Sequence, residues 1–167
     1  MIRSKELIGS KVTNLDGKVL GIIKGLDYEH NEKNVKGFYV EKTGITRKKV
    51  YLPYANVVEL GDKSVSIDDE EVLKRKSFPF TSYDISFAFN KTDVEVGYIS
   101  DFFINEKSGD ILGLEVSLGP YDDISYGRSF YANYTPINDK GDIKIDQQTK
   151  GVNKNEKSTI LHGNDGR

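Results

Sequence analysis

Short apolar runs that alternate with polar positions fill this chain, and the same arrangement occurs twice. Segment 19–23 (VLGII) returns at 95–99 (EVGYI), and Gly37 returns as Gly113, both at an offset of 76 positions. The sequence YAN at 54–56 returns at 131–133, so the offset grows slightly along the chain. Small loop insertions inside a duplicated domain produce such a growing offset. The period is too long for a solenoid repeat and indicates a small complete domain that was copied once.

Within each copy, the period-2 pattern predicts about six short strands at close spacing, which is typical of a small antiparallel barrel. One strand of each copy breaks the alternation with a step of three, from Ile23 to Leu26 and from Ile99 to Phe102. Such a step indicates a β-bulge, which bends a strand and helps a sheet to close. The sequence therefore predicts an all-β fold of two tandem six-stranded antiparallel β-barrels.

The segments between and after the copies set the predicted boundaries. Segment 68–76 begins with acidic residues and ends with basic ones, which predicts a short connecting helix with Asp68 and Glu71 as a capping box. We expect Phe78 and Phe80 to pack between the barrels. The C-terminal segment has few large aliphatic residues and is predicted to be flexible. The predicted organisation is a first repeat over 1–75, a linker over 76–81, a second repeat over 82–148 and a flexible tail over 149–167.

The amino-acid composition excludes several classes of function. None of the 167 residues is a cysteine, which excludes disulfides, thiol nucleophiles and thiolate metal sites. A disulfide-free chain of this size is most simply cytoplasmic, and no apolar run approaches the ~18–20 residues that a membrane span needs. Residues 1–75 carry 14 Lys and Arg against 12 Asp and Glu, whereas residues 76–150 carry 7 against 12. The acidic second half argues against a protein that coats nucleic acid duplexes.

A set of structural glycines and core residues recurs in a characteristic order along the chain. In the first copy these residues are Gly9, Val12, Gly17, Gly21, Ile23, Leu26, Gly37, Val40, Pro53, Val57 and Gly61, and the second copy keeps Gly97, Ile99, Phe102, Gly113 and Val116. This set resembles the PRC-barrel family. The second copy has Phe130 where Pro53 would fall, so it is similar to a diverged member. The family includes the cytoplasmic part of a photosynthetic reaction-centre subunit, the C-terminal domain of a ribosome maturation factor and many stand-alone bacterial proteins. The resemblance implies a non-enzymatic interaction module with no catalytic residue to carry over.

The residues of this chain give little support for a catalytic site or a metal-binding site. The two histidines, His30 and His162, have no counterpart in the other copy, and neither follows a pattern that pairs a base with a nucleophile. The adjacent Asp122 and Asp123 offer fewer donors than a divalent cation normally takes. A small hydrolase would need a polar pocket around these two carboxylates. We therefore predict no catalytic residue, no metal and no cofactor.

Two segments are candidate binding sites. The segment from Gly119 to Tyr134 concentrates aromatic and acidic residues in a predicted loop that is longer than its counterpart. The predicted contact patch for a protein partner has acidic groups that steer a basic partner and tyrosines that supply buried area. The alternative is that these tyrosines cover the end of their own barrel. The patch consists of Tyr121, Asp122, Asp123 and Tyr126.

The basic run Arg47, Lys48 and Lys49 is the candidate contact for RNA phosphates, and a solvated strand edge is its alternative interpretation. The leading hypothesis is a PRC-barrel-type binding or adaptor protein that acts on a protein partner of unknown identity in the cytoplasm. The alternative hypothesis is an RNA- or ribosome-associated assembly factor. Charge separates the two, because RNA contact should concentrate on the basic first copy.

Overall fold

A computed structural model describes residues 1–29, 31–45, 47–61, 63–74, 87–89, 93, 95–138 and 141–145. Within these residues the chain forms two sheets. The first consists of β2 (Lys11–Asn14), β3 (Val19–Glu29), β4 (Asn34–Lys42), β5 (Lys49–Pro53), β6 (Val57–Gly61) and β7 (Ser64–Ile67). The second consists of β8 (Phe87–Phe89), β9 (Glu95–Ile104), β10 (Ile111–Ser117), β11 (Ser129–Tyr131), β12 (Tyr134–Pro136) and β13 (Ile143–Ile145), joined by β1 (Ile2–Arg3). Two short helices, α1 (Ser4–Leu7) and α2 (Pro120–Tyr126), and 3₁₀ turns at Tyr54–Asn56 and Glu70–Lys74 complete the described elements.

The two sheets have the same topology. Their orders are β5-β4-β3-β2-β7-β6 and β11-β10-β9-β8-β13-β12, so each strand of the second sheet replaces the strand six places earlier. The predicted all-β fold of two tandem barrels is confirmed. In one detail it differs from a purely antiparallel barrel, because β2 pairs with β7, and β8 with β13, in parallel. In the first barrel the chain keeps its direction as it passes from β5 through the turn at Tyr54–Asn56 into β6. It then reverses between β6 and β7, so that β7 runs parallel to β2.

The β-bulges occur where the sequence predicted them. The pairing of β3 with β4 skips Lys24 between Ile23 and Gly25, and the pairing of β9 with β10 skips Ser100. Because the bulge shifts the side-chain alternation by one position, both Ile23 and Leu26 point into the core and are buried.

The first repeated glycine allows neighbouring strands to approach closely. A Cβ atom on Gly21 would lie 2.5 Å from Val40 Cγ1 and 2.8 Å from the backbone oxygen of Glu41. On Gly97, the equivalent residue, a Cβ would collide with the backbone oxygen of Ser117. Backbone atoms cannot give way as a flexible side chain can, so both copies require glycine at this position.

The predicted short connecting helix is present in its described part, as a 3₁₀ helix rather than an α-helix. This turn covers Glu70–Lys74, and Asp69 rather than Asp68 accepts the hydrogen bond from the backbone N–H of Glu71, at 2.8 Å. Val72 and Leu73 in this turn are buried in the first core, so the turn packs against the first barrel. The linker 76–81 with Phe78 and Phe80, and the tail 149–167, lie outside the described residues, and those boundaries remain predictions. Among the described helices, none has the length and apolar character to cross a membrane.

The barrels meet through equivalent parts of the two copies. Asn34 and Asp110, 76 positions apart, form an antiparallel bridge between the tips of the β3–β4 and β9–β10 hairpins. Two backbone hydrogen bonds flank it, from Val35 N to Gly109 O at 2.9 Å and from Ile111 N to Lys33 O at 2.7 Å. The two bonds are equivalent, because the donors Val35 and Ile111 are 76 positions apart and so are the acceptors Lys33 and Gly109. The two barrels are therefore related by a pseudo-twofold axis through this bridge.

Side chains near the axis cross from one barrel into the other. Ile104 of the second copy is fully buried in the core of the first barrel, whereas its equivalent, Tyr28, packs against both cores. The rings of Tyr28 and Phe102 lie 4.6 Å apart between centroids. Burial raises the pKa of Tyr28 to about 12, so the phenol stays neutral in the interface. The N-terminal segment also crosses, because β1 pairs with β9.

Because Ile104 packs in the first core, Ile104→Ala should destabilise both barrels. We expect the free energy of unfolding to fall by about 2–4 kcal/mol, the usual cost of a buried cavity. Chemical denaturation measures this loss, and Ile124→Ala is the matched control, because Ile124 is 86% exposed and should cost less than about 0.5 kcal/mol. Amide hydrogen exchange should accelerate in β3 and β4 as well as in β9. Acceleration confined to the second barrel would contradict a shared core.

Candidate functional site

The connection between β10 and β11 is a helix, not the loop that the sequence predicted. Pro120 stands at the first position of α2, where its missing N–H is not needed and its fixed φ suits a helix. Two aspartates occupy the first turn, where they complement the helix dipole. Gly119 and Gly127 bound the helix at φ values of 125° and 75°, which favour glycine. The backbone N–H of Asp123 donates to Gly119 O at 2.9 Å, and that of Gly127 to Asp123 O at 3.1 Å.

The outer surface of this helix is apolar and exposed. Tyr121 is 87% exposed and Ile124 is 86% exposed, and their spacing of three places them on the same side of α2. Leu118, just before the helix, is 37% exposed. Asp122 is exposed beside them. We call Leu118, Tyr121, Asp122 and Ile124 the α2 patch.

Asp123 points inward and ties α2 to the sheet. Its Oδ2 accepts hydrogen bonds from Ser117 Oγ and Arg128 Nε, both at 2.8 Å. Burial opposes the ionisation of Asp123, but the hydrogen bonds from Arg128 and Ser117 outweigh it and hold the pKa of this carboxyl below its ordinary value. Hydrogen bonds to Asp123 and Glu115 likewise raise the pKa of Arg128. A carboxylate with a lowered pKa stays ionised near neutral pH and cannot act there as a general acid.

Further ion pairs extend this anchor to the N-terminal segment. Glu115 on β10 accepts from Arg128 Nη1 at 2.9 Å and from Arg3 Nη2 at 2.5 Å. Arg3 also contacts the fully buried carboxylate of Asp101, with 2.9 Å between Nε and Oδ2. A chain of charged groups therefore runs from Asp123 to Asp101. These pairs are partly shielded from solvent, so they hold geometry better than exposed pairs do.

The basic run lies at the equivalent place in the first barrel. Arg47 and Lys48 lie in the β4–β5 connection, and Lys49 begins β5; all three side chains are exposed. Ile45 in the same connection is fully exposed. Among the described residues, neither Arg47 nor Lys48 forms an ion pair. We call Ile45, Arg47, Lys48 and Lys49 the basic loop.

The remaining sequence candidates fall in different places. The side chain of Tyr126, and His30 and His162 entirely, lie outside what the structure describes. Within the described part of the chain, no three His, Asp or Glu side chains are placed to hold a metal ion. Of the predicted patch, Tyr121 and Asp122 share the exposed surface of α2, whereas Asp123 is turned to the sheet.

Sequence reasoning missed Leu118, Ile124 and the anchoring residues. The pattern Gly119-Pro120 followed by Asp122-Asp123 and closed by Gly127 is a helix signature that could have revealed α2. With the helix recognised, the spacing of Tyr121 and Ile124 would have identified them as neighbours. No local signal points to Arg3, because its partners Asp101 and Glu115 lie about a hundred positions away.

Comparison with known proteins agrees with the repeated architecture. A family model described as PRC-barrel domain matches residues 1–74 and again residues 88–150. The two matched segments correspond to the two sheets. A search of curated proteins finds no match.

Removing the charge of Asp123 should loosen α2 from the sheet. We expect Asp123→Asn to lower the free energy of unfolding by about 1–2 kcal/mol at neutral pH, because it breaks a charge-assisted contact with Arg128. The folded-state pKa of Asp123 is lowered, so its contribution is present above the unfolded value of 3.8 and is lost as pH falls through the folded value. Urea unfolding at neutral pH and near pH 3 tests this.

Asp122→Asn is the matched control, because the side chain of Asp122 is exposed, and we expect almost no change in stability. The stability difference between wild type and Asp123→Asn should shrink in acid. Equal effects of the two substitutions at neutral pH would show that Asp123 does not anchor the helix.

Proposed function

Because this chain belongs to the PRC-barrel family, we propose that it is a non-enzymatic binding protein that engages a protein partner through the α2 patch. The observation that carries the proposal is that Tyr121 and Ile124 on an anchored helix, and Leu118 just before it, are three exposed apolar side chains in one short segment. Contiguous exposed apolar groups on a soluble domain often mark an interaction site. Tyrosine at the centre of such a patch is a common anchor of protein interfaces.

The anchoring network supports a binding role. Arg128 bridges Asp123 and Glu115, and this fixes α2 on β10 before any partner arrives. A surface held in place loses less conformational entropy on binding, so more of its contact energy contributes to affinity. The alternative interpretation is that Tyr121 covers the end of its own barrel. It has little support, because the side chain of Tyr121 is 87% exposed.

Charge sets the kind of partner that suits this patch. Asp122 is exposed within it, and residues 76–150 carry 7 basic against 12 acidic residues. Acidic groups at the rim favour encounter with a basic partner. A basic segment with at least one large apolar side chain would complement the α2 patch.

A photoreactive amino acid at position 121 tests this function. We expect it to form covalent adducts with a protein in the native cell, whereas the same group at Ile137, which is 49% exposed on the second barrel, should form none. Tyr121→Ala combined with Ile124→Ala should abolish capture by the tagged protein and change the free energy of unfolding by less than about 0.5 kcal/mol per site. A large loss of stability would mean that these side chains pack within the barrel, and equal adducts at 121 and 137 would argue against a specific site.

The alternative function is that of an RNA- or ribosome-associated assembly factor, favoured by the exposure of Arg47, Lys48 and Lys49. Filter binding with single-stranded RNA over a salt series separates the two functions. If the basic loop contacts phosphates, the logarithm of the affinity should fall linearly with the logarithm of salt, and replacing all three residues with alanine should reduce the slope by about 2. The leading proposal expects no RNA retention even at low salt.

A further inference from the structure

The two copies carry complementary surfaces at equivalent positions. The connection 43–48 of the first barrel contains Arg47 and Lys48 and no acidic residue. The connection 118–128 of the second barrel contains two aspartates against one arginine. Both connections expose apolar side chains, with Ile45 fully exposed in the first, and Tyr121 and Ile124 nearly so in the second. Each surface thus has the chemistry that the other would recognise.

We propose that the basic loop of one molecule docks on the α2 patch of a second copy of this chain. Ile45 supplies the apolar side chain that contacts Tyr121 and Ile124, while Arg47 and Lys48 approach Asp122. This inference rests on the proposed function, since it uses the α2 patch as the binding site, and it names the partner. The α2 patch suits a basic segment that has one large apolar side chain, and the basic loop is such a segment.

One molecule cannot make this contact with itself. Strands β4 and β10 begin at the Asn34–Asp110 bridge and run away from it in opposite directions, because the bridge is antiparallel. With nine residues in β4 and seven in β10, the strands span about 30 Å and 23 Å. The basic loop and the α2 patch therefore lie at opposite ends, at most about 50 Å apart by the summed lengths of the extended strands. Contact between them must join two molecules.

The contact uses different surfaces of the two partners, so it is heterologous. Each bound molecule still offers one free basic loop and one free α2 patch, so the assembly can grow head to tail. Both surfaces are small, and small interfaces are usually weak and reversible. Association should therefore depend on protein concentration and weaken with salt, which screens exposed charges.

Sedimentation velocity of the full chain measures this association, from about 10 µM to about 1 mM at low salt. We expect the weight-average mass to rise with concentration. Ile45→Asp, and separately Tyr121→Asp with Ile124→Asp, should each weaken association at least tenfold, as the loss of an anchor residue usually does. Val58→Asp is the matched control, because Val58 is 56% exposed on β6, away from the basic loop, and should leave association unchanged.

Mixing the two defective variants is the decisive experiment. The Ile45→Asp variant keeps its α2 patch, and the Tyr121→Asp, Ile124→Asp variant keeps its basic loop. Each should be monomeric alone, and the mixture should form a one-to-one complex that does not grow. The double variant Lys48→Glu, Asp122→Lys, which carries the reversed charges on both surfaces of one chain, should associate with itself, although each single variant alone is weakened. Circular dichroism of every variant confirms that the fold is retained.

A wild-type protein that stays monomeric at the highest concentration overturns the inference, as does a mixture that shows no complex. If Ile45→Asp associates as wild type does, the patch pairs with itself in a symmetric dimer and the inference is wrong. Salt-dependent RNA binding by a monomeric protein overturns it in favour of the alternative function. If purified protein is monomeric but the photoreactive group at 121 captures another protein in cells, this inference fails and the proposed function stands. If the protein neither associates with itself nor captures another protein in cells, both the inference and the proposed function are wrong.

Discussion

The backbone pairing of two hairpin tips is the contact on which the rest of this structure depends. Val35 and Ile111 each donate a hydrogen bond across the pseudo-twofold axis, to Gly109 and to Lys33. The acceptor residues are themselves equivalent, and both have left-handed backbone conformations, with φ of 52° at Lys33 and 78° at Gly109. Because both tips turn in the same way, they can pair symmetrically. A small barrel buries too little surface to be very stable alone, and this pairing lets each complete the core of the other.

Duplication within one chain has a consequence for binding. In a symmetric dimer of identical barrels, every surface would occur twice, and both copies would carry the same chemistry. Joined in one chain, the two copies can diverge, and the β4–β5 and β10–β11 connections have done so: one is basic around Arg47 and Lys48, and the other forms α2 with its exposed Tyr121. The strands and glycines that build the barrels remain shared. The repeated scaffold therefore gives both copies the same fold, and the two connections are where their surface chemistry differs.

The candidate site was only partly predictable. Tyr121 and Asp122 could be chosen from sequence because exposed aromatics beside acids are unusual in a short segment. Their neighbour Ile124 was missed because the helix was not recognised, although Pro120 and Gly127 signalled it. The inward role of Asp123 could not be predicted, because it depends on Arg128 and Ser117 being brought together around the end of β10. Local sequence describes which groups are present, whereas the direction of each side chain follows from the backbone that carries it.

The sequence by itself determined the duplication, the all-β class and the position of the bulges, because glycine spacing and period-2 alternation are local properties of a strand. Gly21 and Gly97 were recognisable as equivalent before their close backbone contacts were known. Only the tertiary structure decided that Ile104 completes the first core, that Arg3 binds Asp101 and Glu115, and that β2 and β7 run in parallel. These contacts join residues far apart in the chain, and their geometry depends on how two curved sheets meet at a shared axis.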